Sequence, residues 1–481
     1  MTQAGTSTLL LETGDLRRAQ MAWAAQPLPA RLAVLRRFRR TLAANPGNLL
    51  ESTAQHRGVS ELEALASEVM PLADACRWLE GNAGNLLSTR AVGGAAPLLM
   101  RGIHVEIIRE PLGLVLIVAP GNYPLFLAGV QALQALVAGN AVLLKPAPKT
   151  TQLLTRLRDL LLVSGLPLDV LTLLPEDTEA LREVVCAPYG PDHIIVTGSA
   201  RTGRAFQQLI ADSGRPIGFT AELSGADVCI ALPSANWNGL ARSLRFAVNL
   251  NRGRTCIAPR VVLAPRDREA ELIGHLQREF KGLPAEPFSQ EESHRFAQVL
   301  SLALKLGAEL VHIENSPVAV LRHLPLDMEF PWDELFSPLL FLATYRSLEE
   351  AISIQRRMPL ALGAAIFGNA AQARAVAARL DAGSITINDL VAPTADPRLP
   401  FSARKASGHG VTRGAEGLLA LTTAKAVATQ RSRFHPHWNL PQPGDDHLLR
   451  TLFRLQHATW RSRLSALPSV VRALCSRRSS T

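Results

Sequence analysis

Cysteine is scarce in this 481-residue chain, and the five present (Cys76, Cys186, Cys229, Cys256 and Cys475) lie far apart. They form no CxxC pair and no His/Cys cluster, so the sequence offers no zinc-ligand spacing and no metal site is expected. The odd count and wide spacing argue against a disulfide framework and for a reducing compartment, which makes a cytoplasmic location the expectation. Aromatic residues are also sparse, at 5%. Met1 to Asp15 holds no basic segment ahead of an apolar core, so no secretory leader is expected. Charge is missing altogether from Pro111 to Leu144, a stretch long enough to cross a bilayer. Its punctuation argues against that: Pro120-Gly121-Asn122 and Gly139-Asn140 divide it into strand, turn, helix and strand. No internal repeat appears, and nothing of low complexity precedes the tail.

Acidic residues fall short of basic ones, giving a net charge of +10, but unevenly. Beyond Gln430 there are nine Arg against Asp445 and Asp446, so this tail carries +7 of the excess. The arginines are not interleaved with aromatics on a nucleic-acid module, so no nucleic-acid partner is expected.

What is abundant is apolar: 47% of the chain, enough for two or three domains with their own cores. Leu16–Ala43 and Glu61–Leu87 show the spacing of packing helices, and Ile103–Ile108 reads as an exposed strand. From Leu114 onward strands and helices alternate. Leu114–Val118, Ala141–Leu144, Val170–Leu174 and His193–Val196 read as strands. Helices are expected over Pro124–Val137, Thr151–Ser164, Glu176–Val185 and Arg201–Ala211. This order predicts an α/β fold with a doubly wound parallel sheet, followed by a second α/β region from Asp227 to about Leu418.

The best candidate nucleophile is Cys256, at the end of Asn249-Leu250-Asn251-Arg252-Gly253-Arg254-Thr255-Cys256. Arg252 and Arg254 are expected to favour the reactive thiolate. A buried structural cysteine is the competing reading, and the loop alone leaves both open. Four other stretches have chemical potential. Asn122 follows a strand, where an amide could donate to an oxyanion, although turn formation alone explains an Asn there. Lys145 follows the next strand and could reach hydroxyls or phosphates, or merely be a solvated edge lysine. Gly198-Ser199 joins a strand to a helix N-terminus, a place that suits an anion, without being a GxGxxG fingerprint. Glu222, in Thr220-Ala221-Glu222-Leu223-Ser224-Gly225, could be a general base with a raised pKa or an ordinary ion-paired carboxylate.

Each signal is weak alone, but their order along the chain resembles the aldehyde dehydrogenase superfamily, from about residue 15 to about 430. Further stretches carry the same resemblance. Glu334-Leu335-Phe336-Ser337-Pro338 is similar to the family's Glu-x-Phe-Gly-Pro. Gly383 to Asn388 matches its Gly-x-x-x-x-Asn strand. Leu399-Pro400-Phe401 with Ser407-Gly408 matches its Pro-Phe-Gly-Gly…Ser-Gly region. The resemblance implies a cofactor-binding domain over 1–224, with bridging strands at about 100–110, and a catalytic domain over 225–418. It also implies an oligomerisation strand over 419–430, hence a homo-oligomer, a dimer. Cys256 would attack an aldehyde, with Asn122 and the Cys256 amide holding the oxyanion and Glu222 activating water. Lys145 and Glu334 would hold ribose hydroxyls, Gly198 and Ser199 would meet the pyrophosphate, and Phe336 would pack near the nicotinamide of NAD or NADP.

Several positions depart from the family pattern. Pro148, followed by Lys149, stands where a ribose-gripping carboxylate is frequent, leaving NAD and NADP both open. Ser224 replaces a Gly, Arg254 a Gln, and Ser402-Ala403 a Gly-Gly, while the stretch from Cys256 to Glu334 is short. Tyr123 to Leu127 and Ile257, where the family's substrate funnel lies, carry no charge, so an apolar aldehyde is expected. The segment from Asn388-Asp389 to Pro400 resembles a bacterial branch that includes carotenoid-aldehyde dehydrogenases. The rival readings are a catalytically silent, membrane-associated binding protein and a coenzyme-A-acylating dehydrogenase. The tail, residues 431–481, combines a Pro-containing linker with apolar residues near helical spacing and intervening Arg. It is expected to lie on a membrane surface or to dock on protein.

Overall fold

The computed structural model describes residues 15–94, 96–97, 100, 102–284, 289–326, 330–332, 335–432, 435, 438, 440 and 445–460. Two compact units emerge: Met1–Leu87 with Glu110–Thr423, and Ser88–Arg109 with Ala424–Thr481.

The larger unit contains two parallel sheets. In the first, the neighbours run Gly408–His409, Gly218–Glu222, His193–Thr197, Leu114–Val118, Ala141–Lys145 and Leu171–Leu173. All pair in parallel except Gly408–His409, which runs antiparallel to the Glu222 strand. Chain order reverses between Leu114–Val118 and His193–Thr197. In open α/β sheets the crevice beyond such a reversal is where ligands bind.

The local reasons are legible. Every residue of Leu114–Val118 and Ala141–Lys145 is buried, as in a sheet covered on both faces. Each buried Leu, Ile or Val there contributes roughly 1.5–3 kcal/mol. The intervening helix, Pro124–Ala138, has Pro at its first position, where the missing N–H costs nothing, and ends on Gly139 at φ 96°. The charge-free stretch is therefore an enclosed strand–helix–strand unit. No helix among the described residues is long and apolar enough to cross a membrane.

The second sheet orders Glu309–Leu310, Ala319–Arg322, Leu339–Tyr345, Pro259–Pro265, Asp227–Ala231, Gly363–Phe367 and Ser384–Ile387, with only the first strand antiparallel. The N-terminal helices differ in detail from expectation. The first long run breaks before Leu28–Ala44, which opens on Pro27 and carries Pro29 in its first turn. An unanticipated helix covers Gly47–Arg57, and a π-helical turn at Leu65–Val69 interrupts the run before Met70–Leu87.

In the smaller unit, Arg90–Ala91, Ile103–Pro111 and Thr422–Gln430 form one sheet, so the two segments expected as bridging and oligomerisation strands share it. The tail contributes the helix Asp445–His457. The expected linker prolines Pro436, Pro441 and Pro443, and the run beyond Trp460, lie outside the described residues.

Candidate active site

A cavity of about 740 Å³ opens beside the reversal point of the first sheet. Asn122, Lys145, Gly198, Ser199, Glu222, Cys256 and Phe336 all line it. Seven of the eight residues singled out from the sequence therefore meet at one place. The eighth, Glu334, lies outside the described residues.

Cys256 follows the helix Trp237–Asn249 and a tight turn over Leu250–Gly253. Asn251 and Arg252 sit there at φ 51° and 58°, a left-handed backbone unusual for residues with a Cβ. The turn is tied down from several sides. Asn251 accepts from Arg57 Nε at 3.0 Å, donates its amide to the Asn122 carbonyl at 2.9 Å, and gives its backbone N–H to Glu63. Gly253 has φ 78°, and a Cβ on it would lie 2.7 Å from the Ser337 carbonyl carbon. A Cβ on Gly225 would strike the Cys256 carbonyl oxygen. Both glycines permit the close approach that sets the cysteine.

The expected role of Arg252 and Arg254 is not what the structure shows. Arg254 donates to the carbonyls of Asn251 and Arg57 and pairs with Glu292 at 3.5 Å. The Arg252 side chain runs to Gly58. The main charges on the sulfur are instead Asp227, Glu222 and Arg413; Arg413 favours the thiolate, and Arg260 interacts with it as well. The cavity does carry charge outside the stretch Tyr123 to Leu127 and Ile257, since Arg413, Arg254 and Glu63 also line it.

Cys256 is half-buried, with one side facing the cavity. Burial pushes its thiol up to about 12, and Asp227 and Glu222 add to the rise, while Arg413 and its own backbone N–H oppose it. The resting thiol is therefore protonated at neutral pH and needs a proton acceptor before it can attack. Glu222 is buried, and burial raises its pKa; Arg413 and a hydrogen bond from the Thr412 hydroxyl oppose that rise. A carboxylate whose pKa is raised by burial is suited to accept and release protons.

Asn122 donates one amide hydrogen to the Arg254 carbonyl at 2.9 Å. An amide nitrogen carries two, so one is left for an oxygen in the cavity. Tyr123, next in the chain, hydrogen-bonds Thr255 at 2.7 Å and lies under the Arg57 guanidinium. The residues flanking the amide and the thiol are thus joined directly. Glu68, on the π-helical turn, is fully buried and accepts the backbone N–H groups of Leu125 and Phe126, the first turn of the Pro124 helix. Burial raises its pKa to about 7 despite Arg57.

Lys145 ends its strand with only 7% of its surface exposed, and burial lowers its pKa. No hydrogen-bond acceptor for its ammonium is found among the described residues, although Glu176 and Asp177 are near enough to act on it. Ser199 caps the helix Ala200–Ser213, accepting the Thr202 N–H at 3.2 Å. A buried ammonium on the cavity wall, with one strand between it and the strand that leads to a helix N-terminus, fits a ligand bearing hydroxyls and phosphates. Among the described residues no cluster of His, Cys, Asp and Glu could hold a metal.

Arg413, Thr412, Phe401, Val391 and Thr394 also face or support this cavity and were not singled out as site residues. Phe401 carried a visible signal, in its Leu399-Pro400-Phe401 motif. Arg413 carried none, because an Arg between glycines reads as a surface loop until the Gly408–His409 pairing folds it inward.

The profile of the aldehyde dehydrogenase family matches residues 14–427. The chain is 29% identical over 444 residues to the 4,4'-diapolycopene aldehyde oxidase of Methylomonas sp., covering 88% of this chain and 82% of that one. It is 27% identical over 460 residues to a probable coniferyl aldehyde dehydrogenase of Pseudomonas aeruginosa, covering 91% and 94%. A crystal structure described as a putative aldehyde dehydrogenase from Burkholderia cenocepacia superposes with a TM-score of 0.79 at 27% identity, covering 87% and 92%. With a cysteine, a buried carboxylate and an amide on one cavity wall, and a family profile spanning most of its length, this chain belongs to the aldehyde dehydrogenase family.

Proposed function

We propose that the protein oxidises an apolar aldehyde, long-chain or isoprenoid, to its carboxylic acid with NAD or NADP. The observation that carries this is the convergence of Cys256, Glu222, Asn122 and Lys145 on one largely apolar cavity. The thiol gives its proton to Glu222 and attacks the carbonyl carbon, forming a thiohemiacetal. Asn122 and the Cys256 amide donate to the oxyanion. NAD or NADP held in the cavity would supply the hydride acceptor, and loss of hydride from the thiohemiacetal carbon would leave a thioester on Cys256. Glu222, again a carboxylate, draws a proton from water, and the hydroxide so formed releases the acid. Dividing oxidation from hydrolysis through a covalent intermediate gives two lower barriers.

Leu62, Phe126, Leu127, Phe246, Leu250 and Phe401 support the apolar preference, as does likeness to a protein named for a diapolycopene aldehyde. Solved proteins sharing this fold hold NAD+ in one case and NADP+ in another, so both remain candidates. Lys145 and Glu334 would hold the ribose, Gly198 and Ser199 the pyrophosphate, and Phe336 the nicotinamide. Retention of Glu222 favours water over coenzyme A as the acyl acceptor.

An aldehyde panel with NAD and NADP, run with and without coenzyme A and beside Cys256→Ala, tests the reading. Acid formation from apolar aldehydes, lost in the variant, is expected. Reduced cofactor that still forms in the variant would overturn the mechanism.

The tail extends the same proposal. Its helix exposes Leu449 and Phe453, with Trp460 just beyond, and carries Arg450 and Arg454. Such a surface suits an anionic membrane, where a lipid-like aldehyde would be found. Deleting 431–481 should release the protein from anionic vesicles into the supernatant; unchanged partitioning would refute the contact. The remaining proposals are a cytoplasmic setting and a homodimer paired through the exposed strand Thr422–Gln430. The unpaired state of the four described cysteines is consistent with the first. Light scattering at the mass of one chain would exclude the dimer.

A further inference from the structure

Arg413 is an unusual residue to find in this cavity. Only 6% of its surface is exposed, and its backbone has φ 60°. Its guanidinium carbon lies 4.2 Å from the centre of the Phe401 ring and 5.6 Å from that of Phe126. One terminal nitrogen donates to the Thr394 carbonyl at 2.7 Å, and the backbone N–H to Gln134 at 3.2 Å. Nε is buried without an acceptor among the described residues. The preceding residue, Thr412, donates to Glu222. A left-handed, aromatic-clamped cation aimed at a cavity is a costly arrangement, and such strain tends to persist where function needs it.

The charges on every side are few. Glu222 and the Cys256 thiol face Arg413. Around the sulfur stand Asp227, Glu222, Arg413, Arg260 and Tyr123. Asp227 and Glu222 both oppose a thiolate. Arg260 is turned to the carbonyls of Ser337 and Gly253. Arg413 alone among these cations lies on the cavity side and interacts with both reacting groups.

We propose that Arg413 is a positioning residue that holds the one negative charge passing between the Cys256 sulfur and the Glu222 carboxylate. In the first step the S–H bond breaks and an O–H bond forms on Glu222, directly or through water. The electron pair stays on sulfur, so the net charge beside the guanidinium is unchanged. Before hydrolysis Glu222 releases that proton to solvent, and Arg413 again faces a carboxylate. A cation fixed between two aromatic rings can serve both states without moving. The proposal rests on Cys256 being the nucleophile, and its test keeps the two separable.

The test is the pH dependence of iodoacetamide labelling at Cys256, followed by peptide mass spectrometry, in wild type, Arg413→Met and Arg413→Lys. The protein needs neither cofactor nor aldehyde for this measurement. Arg413→Met should shift the labelling midpoint upward, slowing labelling at pH 8 by ~10-fold or more, the equivalent of one pKa unit. Arg413→Lys should restore the midpoint, because charge is retained. Turnover by Arg413→Met should show the same upward shift in its kcat/KM profile.

If Arg413→Lys labels like Arg413→Met, or if neither variant shifts, the proposal fails. It also fails if Arg413→Met changes only the KM of carboxyl-bearing aldehydes, which would make Arg413 a substrate anchor. Should Arg413→Met not fold, Arg413→Gln supplies the uncharged comparison, with the same outcomes deciding. Activity surviving in Cys256→Ala would overturn the nucleophile reading instead, whatever the labelling profiles show.

Discussion

Two buried carboxylate–arginine pairs flank Cys256, and they are built differently. Glu222 and Arg413 stand on the wall of the large cavity. Asp227 and Arg260 lie apart from that wall: Asp227 accepts the Gly363 N–H at 2.8 Å, and Arg260 donates to the Ser337 carbonyl at 2.7 Å. Burial raises both carboxylates, Asp227 to about 7, and lowers both guanidiniums, Arg260 to about 10. The difference lies in what else each pair touches. Arg260 uses backbone carbonyls to clamp Gly253 and Ser337 together, whereas Arg413 keeps an Nε with no acceptor among the described residues and interacts with both Glu222 and Cys256. Similar charges therefore support a loop in one case and chemistry in the other.

The largest effect that separates these sites is at the sulfur between them. Cys256→Ala should lower kcat by roughly 10⁴-fold or more with little change in thermal unfolding. Glu222→Gln should slow turnover by roughly 10²–10⁴-fold, since the thiol loses its proton acceptor and hydrolysis its base; at alkaline pH, where solvent takes the thiol proton, an acyl group should stay on Cys256. A Glu222→Gln enzyme with normal steady-state turnover would erase the distinction between the two pairs. Asn122→Ala should cost about 10²-fold in kcat, the usual scale for one oxyanion donor. A rise in KM alone would assign Asn122 to substrate binding.

Asp227 should behave in the opposite sense to Glu222, with stability affected more than rate. Its folded pKa of about 7 lies above the ordinary 3.8, so the folded protein binds the extra proton. That contribution is complete below about pH 4 and is lost as pH rises through 7. Melting temperature should therefore fall between pH 5 and pH 8 in the wild type and fall less in Asp227→Asn. Differential scanning calorimetry at the two pH values measures this. Equal slopes in the two proteins would remove Asp227 from the account. Glu68, also raised to about 7, and Glu222, raised by burial, contribute in the same direction and supply slope that Asp227→Asn retains.

The two pairs also differ in how readily the sequence reveals them. Asn122, Lys145, Gly198 and Glu222 each sit at or just beyond the C-terminal end of a strand in the first sheet, so strand periodicity alone places them on one edge. Cys256 follows from a loop between helix and strand in the same way. Arg413 lies about 190 residues from Glu222, in a Gly-rich segment whose short strands have little pattern to read. Its inward turn depends on Gly408 pairing with Glu222, a tertiary event without a local signal. Arg57 and Glu68 were hidden for a related reason. On amphipathic helices they look like solvated charges, and only the π-helical turn and the returning Asn251 loop bury them. Those same contacts explain why Arg252 and Arg254, adjacent in sequence, do not serve the cysteine.

The central claim is a covalent bond between the Cys256 sulfur and the carbon of an apolar aldehyde. It is tested most directly by mixing Glu222→Gln with an apolar aldehyde and NAD or NADP at alkaline pH, where solvent takes the thiol proton in place of Glu222, quenching in acid and mapping peptides by mass spectrometry. The account predicts an acyl mass on the peptide containing Cys256, appearing together with one equivalent of reduced cofactor. Reduced cofactor formed with Cys256 unmodified throughout the time course would contradict it.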